Sequence, residues 1–312
     1  MSIRHPVVAV TGSSGAGTTF VKRAFENIFR RETIKAAIVE GDSFHSVTRT
    51  EFKRRAAIEP NFSHFGPEAN DFAALETMFR NYGASGTCQK RYYLHNEEEA
   101  KYHRERLAKL GIHCYTKEGE FTPWETIEPD TDILFYEGLH GLVKDSSAEQ
   151  IYGGYDVAQH VDLGIGVVPN VNLEWIQKIH RDHAERGHST EDTVKTILRR
   201  MPDYINHITP QFSRTHINFQ RVPTVDTSNP FIARDIPTPD ESFVVIRIAD
   251  PKQFNINFPY LLSMLQHSFM SRRNSIVVPG GKMMMAMELI FDPIIHQMIA
   301  KRHRLMQAAQ SA

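Results

Sequence analysis

The chain has 312 residues, 41% hydrophobic and 23% charged, which is enough for one large α/β domain or two small ones. Its formal net charge of −1 argues against broad nucleic-acid binding. No uninterrupted apolar stretch approaches the ~20 residues that a membrane-spanning helix needs. The N-terminus runs directly into a predicted strand, which leaves no room for a signal peptide, and two cysteines without metal-ligand spacing favour a reducing cytoplasm.

A glycine-rich loop follows the first predicted strand, Val7–Val10, and precedes a predicted helix, Thr19–Arg31. The loop fits the phosphate-binding pattern G-x-x-x-x-G-K-[S/T], except that Thr18 replaces the lysine. Backbone N–H groups of such a loop can hold a polyphosphate, and the hydroxyl of Thr19 can bind Mg²⁺. The residues predicted to bind ATP are Gly12, Ser13, Ser14, Gly15, Ala16, Gly17, Thr18 and Thr19.

Replacing the lysine removes a cation from this loop. A charge pair at roughly 4 Å contributes about 4 kcal/mol at an effective dielectric near 20, so a phosphoryl-transfer site needs a positive group from elsewhere.

A dinucleotide-binding dehydrogenase is disfavoured, because neither G-x-G-x-x-G nor a Tyr-x-x-x-Lys pair occurs.

The second predicted strand, Ala36–Val39, is followed by Asp42. A carboxylate at the carboxyl end of a strand can accept the proton of a substrate hydroxyl during phosphoryl transfer, although Asp42 could also simply cap a turn. His45, Arg49 and Lys53 follow and supply positive charge for a phosphate on the acceptor substrate. The nearby basic residues Arg54 and Arg55 fit a solvated helix equally well.

Two further stretches precede the next predicted strand. Asp71–Tyr82 has a helical pattern, and Asn96–Leu110 is densely charged, which is typical of a solvated helix or an insertion. Tyr93 and His95, just before the charged stretch, are candidate pocket residues, and core packing of the tyrosine is the alternative.

The third predicted strand, Ile133–Tyr136, ends in Glu137 and resembles a Walker B strand whose acid holds Mg²⁺ directly or through water. Glu137 is preferred to Asp132 because Asp132 lies at the opposite end of the strand. The predicted metal ligands are therefore Thr19 and Glu137.

A strand at Val161–Val168 is followed by a predicted helix, Leu173–Arg186. Lys178, Arg181 and Arg186 lie three and five residues apart, so at least two can reach one cleft and replace the cation missing at Thr18. The triplet His180-Arg181-Asp182 copies a protein-kinase motif, but its asparagine and the Asp-Phe-Gly motif are missing.

The remaining pattern predicts a helix at Thr190–Met201, a strand at Phe243–Ile248, a helix at Pro259–His267 and a possible strand at Ser275–Val278. The C-terminal Lys282–Gln310 reads as a helical extension with a break at Pro293. Alternating strands and helices predict an α/β fold with a mixed, mostly parallel sheet flanked by helices. We expect one domain over residues 1–312, with a charged insertion near 96–120 and the helical extension near 282–312.

The order of these motifs resembles the phosphoribulokinase/uridine kinase family, specifically its bacterial, octameric, NADH-responsive type. The resemblance rests on the glycine loop, Gly41–His45, Tyr136–His140, Arg49-x-x-x-Lys53 and the Asn172–Asp182 segment. It implies a P-loop fold and ATP-dependent phosphorylation of D-ribulose 5-phosphate to ribulose 1,5-bisphosphate in carbon fixation, with ATP and Mg²⁺. A uridine-kinase-like enzyme and a non-catalytic ATP-sensing protein are the alternatives.

The resemblance also implies residue roles. Asp42 becomes the general base, and Lys178, Arg181, Asp182 and Arg186 belong to a catalytic, lid-like segment. The resemblance assigns His45, Arg49 and Lys53 to the sugar phosphate. Tyr93, His95 and His140 complete the set of candidate substrate-binding residues. Possible NADH and AMP effectors map to Arg200, Arg234 and Arg247, and the chain is expected to form a homo-oligomer, an octamer by resemblance.

Overall fold

The computed structural model describes residues 4–12, 18–145, 153–187, 189–233 and 235–310, without the side chains of Thr19, Glu185, Arg186 and Gln310. The strands are β1 (Val7–Thr11), β2 (Ala36–Glu40), β3 (Cys88–Lys90), β4 (Glu125–Ile127), β5 (Ile133–Gly138), β6 (Leu163–Val168), β7 (Ile217–Pro223), β8 (Ser242–Ile248), β9 (Phe269–Arg272) and β10 (Ser275–Pro279). The α-helices are α1 (Thr18–Arg31), α2 (Arg49–Ile58), α3 (Phe72–Ser85), α4 (Glu97–Lys109), α5 (Val171–Arg186), α6 (Thr190–Asp203), α7 (Phe258–Met264) and α8 (Met283–Gln310).

The main sheet has the strand order β2-β5-β1-β6-β7-β8-β10-β9. The first five strands in this order pair in parallel, whereas β8, β10 and β9 pair antiparallel with their neighbours. The prediction of a mixed, mostly parallel sheet flanked by helices is therefore confirmed. Strands β1, β2 and β5 end at one edge, so their carboxyl ends lie close together.

Helices cover both faces of the sheet because successive side chains of a strand point to opposite sides. On one face, Val8 and Val10 pack with residues of α1 and α8, including Phe25 and Phe291, whose rings lie 4.7 Å apart. On the other face, Val7 and Ala9 pack with residues of α3. Strand β1 is fully buried between these two layers, which matches its lack of polar alternation.

The C-terminal helix α8 corrects one prediction, since it continues through Pro293 without a break. Pro293 is exposed, while Ile290, Phe291, Ile294 and Ile295 are buried against the sheet. Packing of this apolar side keeps the helix continuous despite the hydrogen bond that proline cannot donate. By length and composition the helix could also cross a membrane, but core helices pass the same test, and here it lies on the sheet.

The sequence analysis predicted neither β7 nor the short strands β3, β4 and β9, whereas it allowed a solvated helix in the charged stretch. Strand β7 was not predicted, because only part of its sequence is apolar, and it pairs with both β6 and β8. The charged stretch forms α4, whose first turn is capped by the side chain of Asn96. Helix α4 begins with three glutamates and ends in basic residues, so the charges at both ends complement the helix dipole.

Candidate active site

Asp42 lies in a short 3-10 turn, Gly41–Phe44, directly after β2. This turn passes very close to the end of β5, because a Cβ atom at Gly41 would lie 2.6 Å from the hydroxyl of Tyr136 and 2.8 Å from Cα of Gly138. A side chain at position 41 would therefore push the turn away from the sheet. Glycine at this position holds Asp42 beside the strand that carries Glu137.

Two histidines approach the carboxylate of Asp42. His45 Nε2 lies 3.3 Å from Oδ1, and His95 Nε2 lies 3.7 Å from Oδ2. Burial by itself would raise the pKa of Asp42, but the hydrogen bond and charge of His45, together with His95, lower it well below its usual value. The side chain nevertheless keeps 42% of its surface exposed, so a substrate can reach it.

Behind Asp42, the histidine rings form a packed cluster. The ring of His64 stacks on Phe52 at 3.7 Å and lies 4.3 Å from the ring of His45. His140 Nε2 donates to the backbone oxygen of His64 at 3.0 Å. Burial lowers the pKa of His140 to about 3 and that of His64 well below its usual value, so both rings are neutral. The predicted substrate contact of His140 stays a prediction, since this ring is 97% covered by protein.

Arg91 holds the Asp42 turn in place. Its guanidinium donates to the backbone oxygens of Ser43 and His45, both at 2.8 Å. It also lies over the rings of Phe121 and Trp124, at 3.8 and 4.6 Å from their centroids. A charged group with two carbonyl acceptors and two aromatic faces is strongly oriented. Arg91 therefore acts on the shape of the turn.

Helix α2 brings Arg49 to the same side of the site. The side chain of Thr48 caps the helix, and the backbone N–H of Arg49 donates to the carbonyl of Gly119. The Arg49 guanidinium donates to the Tyr93 hydroxyl at 3.3 Å and to the His95 backbone oxygen at 2.8 Å. The structure thus brings these three predicted substrate residues together.

Lys53 lies one helical turn beyond Arg49 and is exposed. The neighbouring Arg54 and Arg55 form ion pairs with Glu51 on the same helix and with Glu59 directly after it. This pairing matches the alternative of a solvated basic helix for these two arginines.

The nucleotide side contains Gly12, Thr18 and Glu137. The N–H of Gly12 donates to the carbonyl of Gly138 at 3.2 Å, which ties the start of the loop to the end of β5. Thr18 is buried, and its hydroxyl makes a hydrogen bond with Glu137. The residue that replaces the usual lysine therefore points into the protein, toward the acid.

A cation from α1 lies near the same acid. Lys22, one turn after Thr18, forms an ion pair with Glu40 at 2.7 Å. Burial raises the pKa of Glu137, while the Thr18 hydrogen bond and the charge of Lys22 oppose that rise. Lys22 is not among the predicted site residues, although its spacing of four residues from Thr18 on a helix indicates that both lie on one side of α1. A buried carboxylate with a raised pKa fits a cation, and Mg²⁺ prefers oxygen ligands.

Several predicted residues lie outside the described part of the structure. These are Ser13, Ser14, Gly15, Ala16, Gly17 and Arg234, together with the side chains of Thr19 and Arg186. Their predicted roles stay predictions.

On helix α5, Lys178 forms an ion pair with Asp182, which is almost completely buried and also lies 3.4 Å from Arg181. Burial and the positive charge of Arg200 lower the pKa of Lys178 to about 8, against the opposing effect of Asp182. The Arg200 guanidinium lies 5.4 Å from the ring centroid of Phe65. Arg247, by contrast, is exposed on β8, in the antiparallel part of the sheet.

Gln211 is a further functional candidate, and no sequence motif indicates it. It is fully buried; its side-chain oxygen accepts from the Thr11 hydroxyl and the Leu142 N–H, and its amide nitrogen donates to the carbonyls of Leu139 and His207. These bonds join the ends of β1 and β5. Gln211 therefore fixes the spacing of the two strands that carry the phosphate loop and Glu137.

The parallel sheet, the loop after β1 and the acids at the carboxyl edge define a P-loop-type kinase. The model of the "Phosphoribulokinase / Uridine kinase family" matches residues 7–228. A chromosomal phosphoribulokinase of Cupriavidus necator is 57% identical, over 98% of this chain and 100% of its own, and one of Nitrobacter vulgaris is 55% identical, over 96% and 99%.

Among solved structures, a phosphoribulokinase from Rhodobacter spheroides is similar over 97% of this chain and 100% of its own. The TM-score is 0.80 and the sequence identity 50%. The chain therefore belongs to the phosphoribulokinase/uridine kinase family, which confirms the resemblance that the motifs predicted. It is a phosphotransferase.

Proposed function

We propose that the chain transfers the γ-phosphoryl group of MgATP to the C1 hydroxyl of D-ribulose 5-phosphate and forms D-ribulose 1,5-bisphosphate. The names of its full-length relatives support this choice of acceptor. The observation that carries the proposal is the position of Asp42. An ionised carboxylate, partly open to solvent and flanked by His45 and His95, lies at the same sheet edge as Glu137, and Arg49 is bound to the backbone of His95.

Asp42 accepts the proton of the C1 hydroxyl as phosphoryl transfer proceeds. The His45 bond to Oδ1 leaves Oδ2 as the oxygen available for the hydroxyl. Arg91 keeps the turn in place, so the carboxylate does not have to be positioned during the reaction. This arrangement supports catalysis by orientation as well as by proton transfer.

Arg49 and Lys53 bind the 5-phosphate of the acceptor. Arg49 is already oriented by Tyr93 and by the backbone of His95, and a planar guanidinium suits the oxygens of a phosphate. Lys53 adds a second, mobile charge on the same face of α2. Their spacing of one helical turn is suited to one phosphate group.

Glu137 and Thr19 would hold Mg²⁺, which neutralises charge on the transferred phosphoryl group when it is bound. Thr18 orients the carboxylate of Glu137 from below. Lys22 contributes positive charge at the base of this site. Lys178, Arg181 and Arg186 supply charge from α5, and Asp182 is the common partner of Lys178 and Arg181.

ADP release measured with ribulose 5-phosphate, with uridine and with neither tests the proposal. We expect release with ribulose 5-phosphate alone. Equal release with uridine would favour a uridine-kinase-like enzyme, and ATP binding without release under any condition would favour an ATP-sensing protein.

We further propose a homo-oligomer, with the octamer as the expected form, a cytoplasmic location, and regulation by NADH and AMP. Arg200, Arg234 and Arg247 are the candidate effector residues. The molar mass in solution and the change of rate with each nucleotide test these points. A monomer, or a rate unaffected by either nucleotide, would contradict them.

A further inference from the structure

The hydrogen bonds of Asn70 determine how its side chain is oriented. Asn70 is buried, and its side-chain nitrogen donates to the backbone oxygens of His64 and Gly66, at 2.9 and 2.7 Å. Carbonyl oxygens only accept hydrogen bonds, so the nitrogen must lie on that side of the amide. The side-chain oxygen of Asn70 therefore faces the opposite way. It lies 2.9 Å from Nδ1 of His45.

His45 consequently lies between two acceptors. Because the oxygen of Asn70 can only accept, Nδ1 must carry a proton. On the other side of the ring, Nε2 lies 3.3 Å from the Asp42 carboxylate. This contact also requires a proton, and the proton belongs to the histidine because an imidazole nitrogen is a stronger base than a carboxylate oxygen.

We propose that Asn70 is a positioning residue of the phosphoryl-transfer site: its side-chain oxygen keeps a proton on Nδ1 of His45, so that His45 meets Asp42 as a doubly protonated, positively charged ring. The proposal rests on the function proposed above. A charged His45 keeps Asp42 ionised and adds positive charge where an anionic sugar phosphate binds.

The neighbouring His64, His140 and Tyr93 do not supply this positive charge, and the guanidinium of Arg91 is bound to backbone oxygens. His64 and His140 are neutral because burial lowers the pKa of each. Tyr93 lies edge-on to the His45 ring at 5.9 Å, and Arg91 donates to the backbone oxygen of His45.

His95 is the other ring next to Asp42, since it lies 3.7 Å from Oδ2 and is 43% exposed. A His95→Gln background removes this second imidazole from the site. Measurements on Asn70 variants are therefore made both in the wild-type chain and in this background.

Two variants of Asn70 separate its acceptor from its donors. Asn70→Leu and Asn70→Asp both lose the pair of N–H groups that hold His64 and Gly66, but only Asn70→Asp keeps an oxygen facing Nδ1 of His45. In Asn70→Leu no acceptor faces Nδ1 of His45, so the ring no longer needs a proton on that nitrogen. His45 then donates to Asp42 from Nε2 as a neutral ring. Loss of the neighbouring positive charge then raises the pKa of Asp42.

The measurement is the pH dependence of kcat/KM for ribulose 5-phosphate. We expect its acid limb to move up by about one pH unit in Asn70→Leu, after allowance for solvent screening, and the KM for the sugar phosphate to rise about tenfold. Asn70→Asp should retain the wild-type limb, and the KM for ATP should change little in either variant. The proposal would be overturned if the acid limb of kcat/KM lay at the same pH in both variants.

A second measurement needs no Asn70 variant to fold. NMR of the wild-type chain with ¹⁵N-labelled histidine, with His45 assigned by comparison with His45→Gln, should show both ring nitrogens protonated at neutral pH. One unprotonated nitrogen would overturn the inference. A wild-type chain without activity on ribulose 5-phosphate would contradict the proposed function instead, while leaving this NMR result to decide the role of Asn70.

Discussion

The acceptor side and helix α5 carry their charged groups in different ways. On the acceptor side, Arg91 binds backbone oxygens of the Asp42 turn, and Arg49 binds the backbone oxygen of His95. On α5, Lys178 is engaged with the carboxylate of Asp182. The first region is therefore assembled before substrate binds, whereas Lys178 must exchange a partner before its charge can act on a phosphate. Variants in the two regions should fail in different ways.

The largest effect is expected at the general base. Asp42→Asn keeps volume and hydrogen-bonding capacity but removes the proton acceptor, so we expect kcat to fall at least ~10²-fold. ATP binding and the melting temperature should stay near wild type, because this region is held by Arg91. A variant that retains near wild-type kcat would exclude Asp42 as the base.

Lys178→Met tests whether α5 supplies the missing cation. We expect kcat to fall roughly tenfold or more with a smaller change in ATP affinity, since the charge acts mainly on the transition state. The substitution also removes one of the two cations paired with the buried Asp182, which keeps Arg181 at 3.4 Å, so we expect the melting temperature to fall as well. The double variant Lys178→Met/Asp182→Asn is the matched control for that loss.

In this double variant the melting temperature should recover while kcat stays low. Recovery of kcat as well would mean that Lys178 acts only through folding. Adding Thr18→Lys to Lys178→Met is a further test. Partial recovery of kcat would support the hypothesis that Lys178 replaces the cation that is missing at position 18. Since Thr18 points to Glu137, the new lysine has to turn outward to reach a phosphate.

Arg49→Ala and Lys53→Met should raise the KM for ribulose 5-phosphate at least tenfold, because a hydrogen bond to a charged group contributes about 1.5–3 kcal/mol. Smaller effects on the KM for ATP are expected. Arg54→Ala, which removes an ion pair of the same helix, is the matched control. Equal weakening of both substrates would place Arg49 and Lys53 outside the acceptor site.

The smallest effect concerns stability at acid pH. The pKa of His140 is lowered to about 3 in the folded protein from 6.5, so the unfolded chain binds more protons between these values. Stability contributed by neutral His140 is complete above pH 6.5 and falls as the pH is lowered toward 3. At pH 5 this loss amounts to about 2 kcal/mol.

His140→Gln keeps a donor for the carbonyl of His64 and removes the titration. Its unfolding free energy, measured by urea between pH 7 and pH 5, should therefore decline by about 2 kcal/mol less than that of the wild type. The same slope in both proteins would show that His140 titrates normally.

Those site residues that belong to a motif at the end of a predicted strand could be predicted from the sequence. Asp42 and Glu137 follow apolar runs, and parallel strands bring such residues to one edge. Asn70 could not be selected in this way, because its role depends on two carbonyls and a histidine that only the fold brings together. The direction of Thr18 also depends on packing, since a loop pattern does not say which hydroxyl turns inward.

The same limit applies to the elements of the fold. Continuous apolar runs identified β1 and β5, whereas β7 owes its conformation to pairing with β6 and β8 on both sides. The local rule for proline predicted a break at Pro293. Burial of Phe291 and Ile294 outweighed that rule.

The packing of α8 on α1 has a consequence for synthesis of the chain on the ribosome. Phe25 in α1 lies against Phe291, which is made 266 residues later. Phe25 can pack on Phe135 much earlier, but the α8 part of this layer is missing while all of the intervening chain is translated. The final packing of this face can therefore form only after α8 has been made.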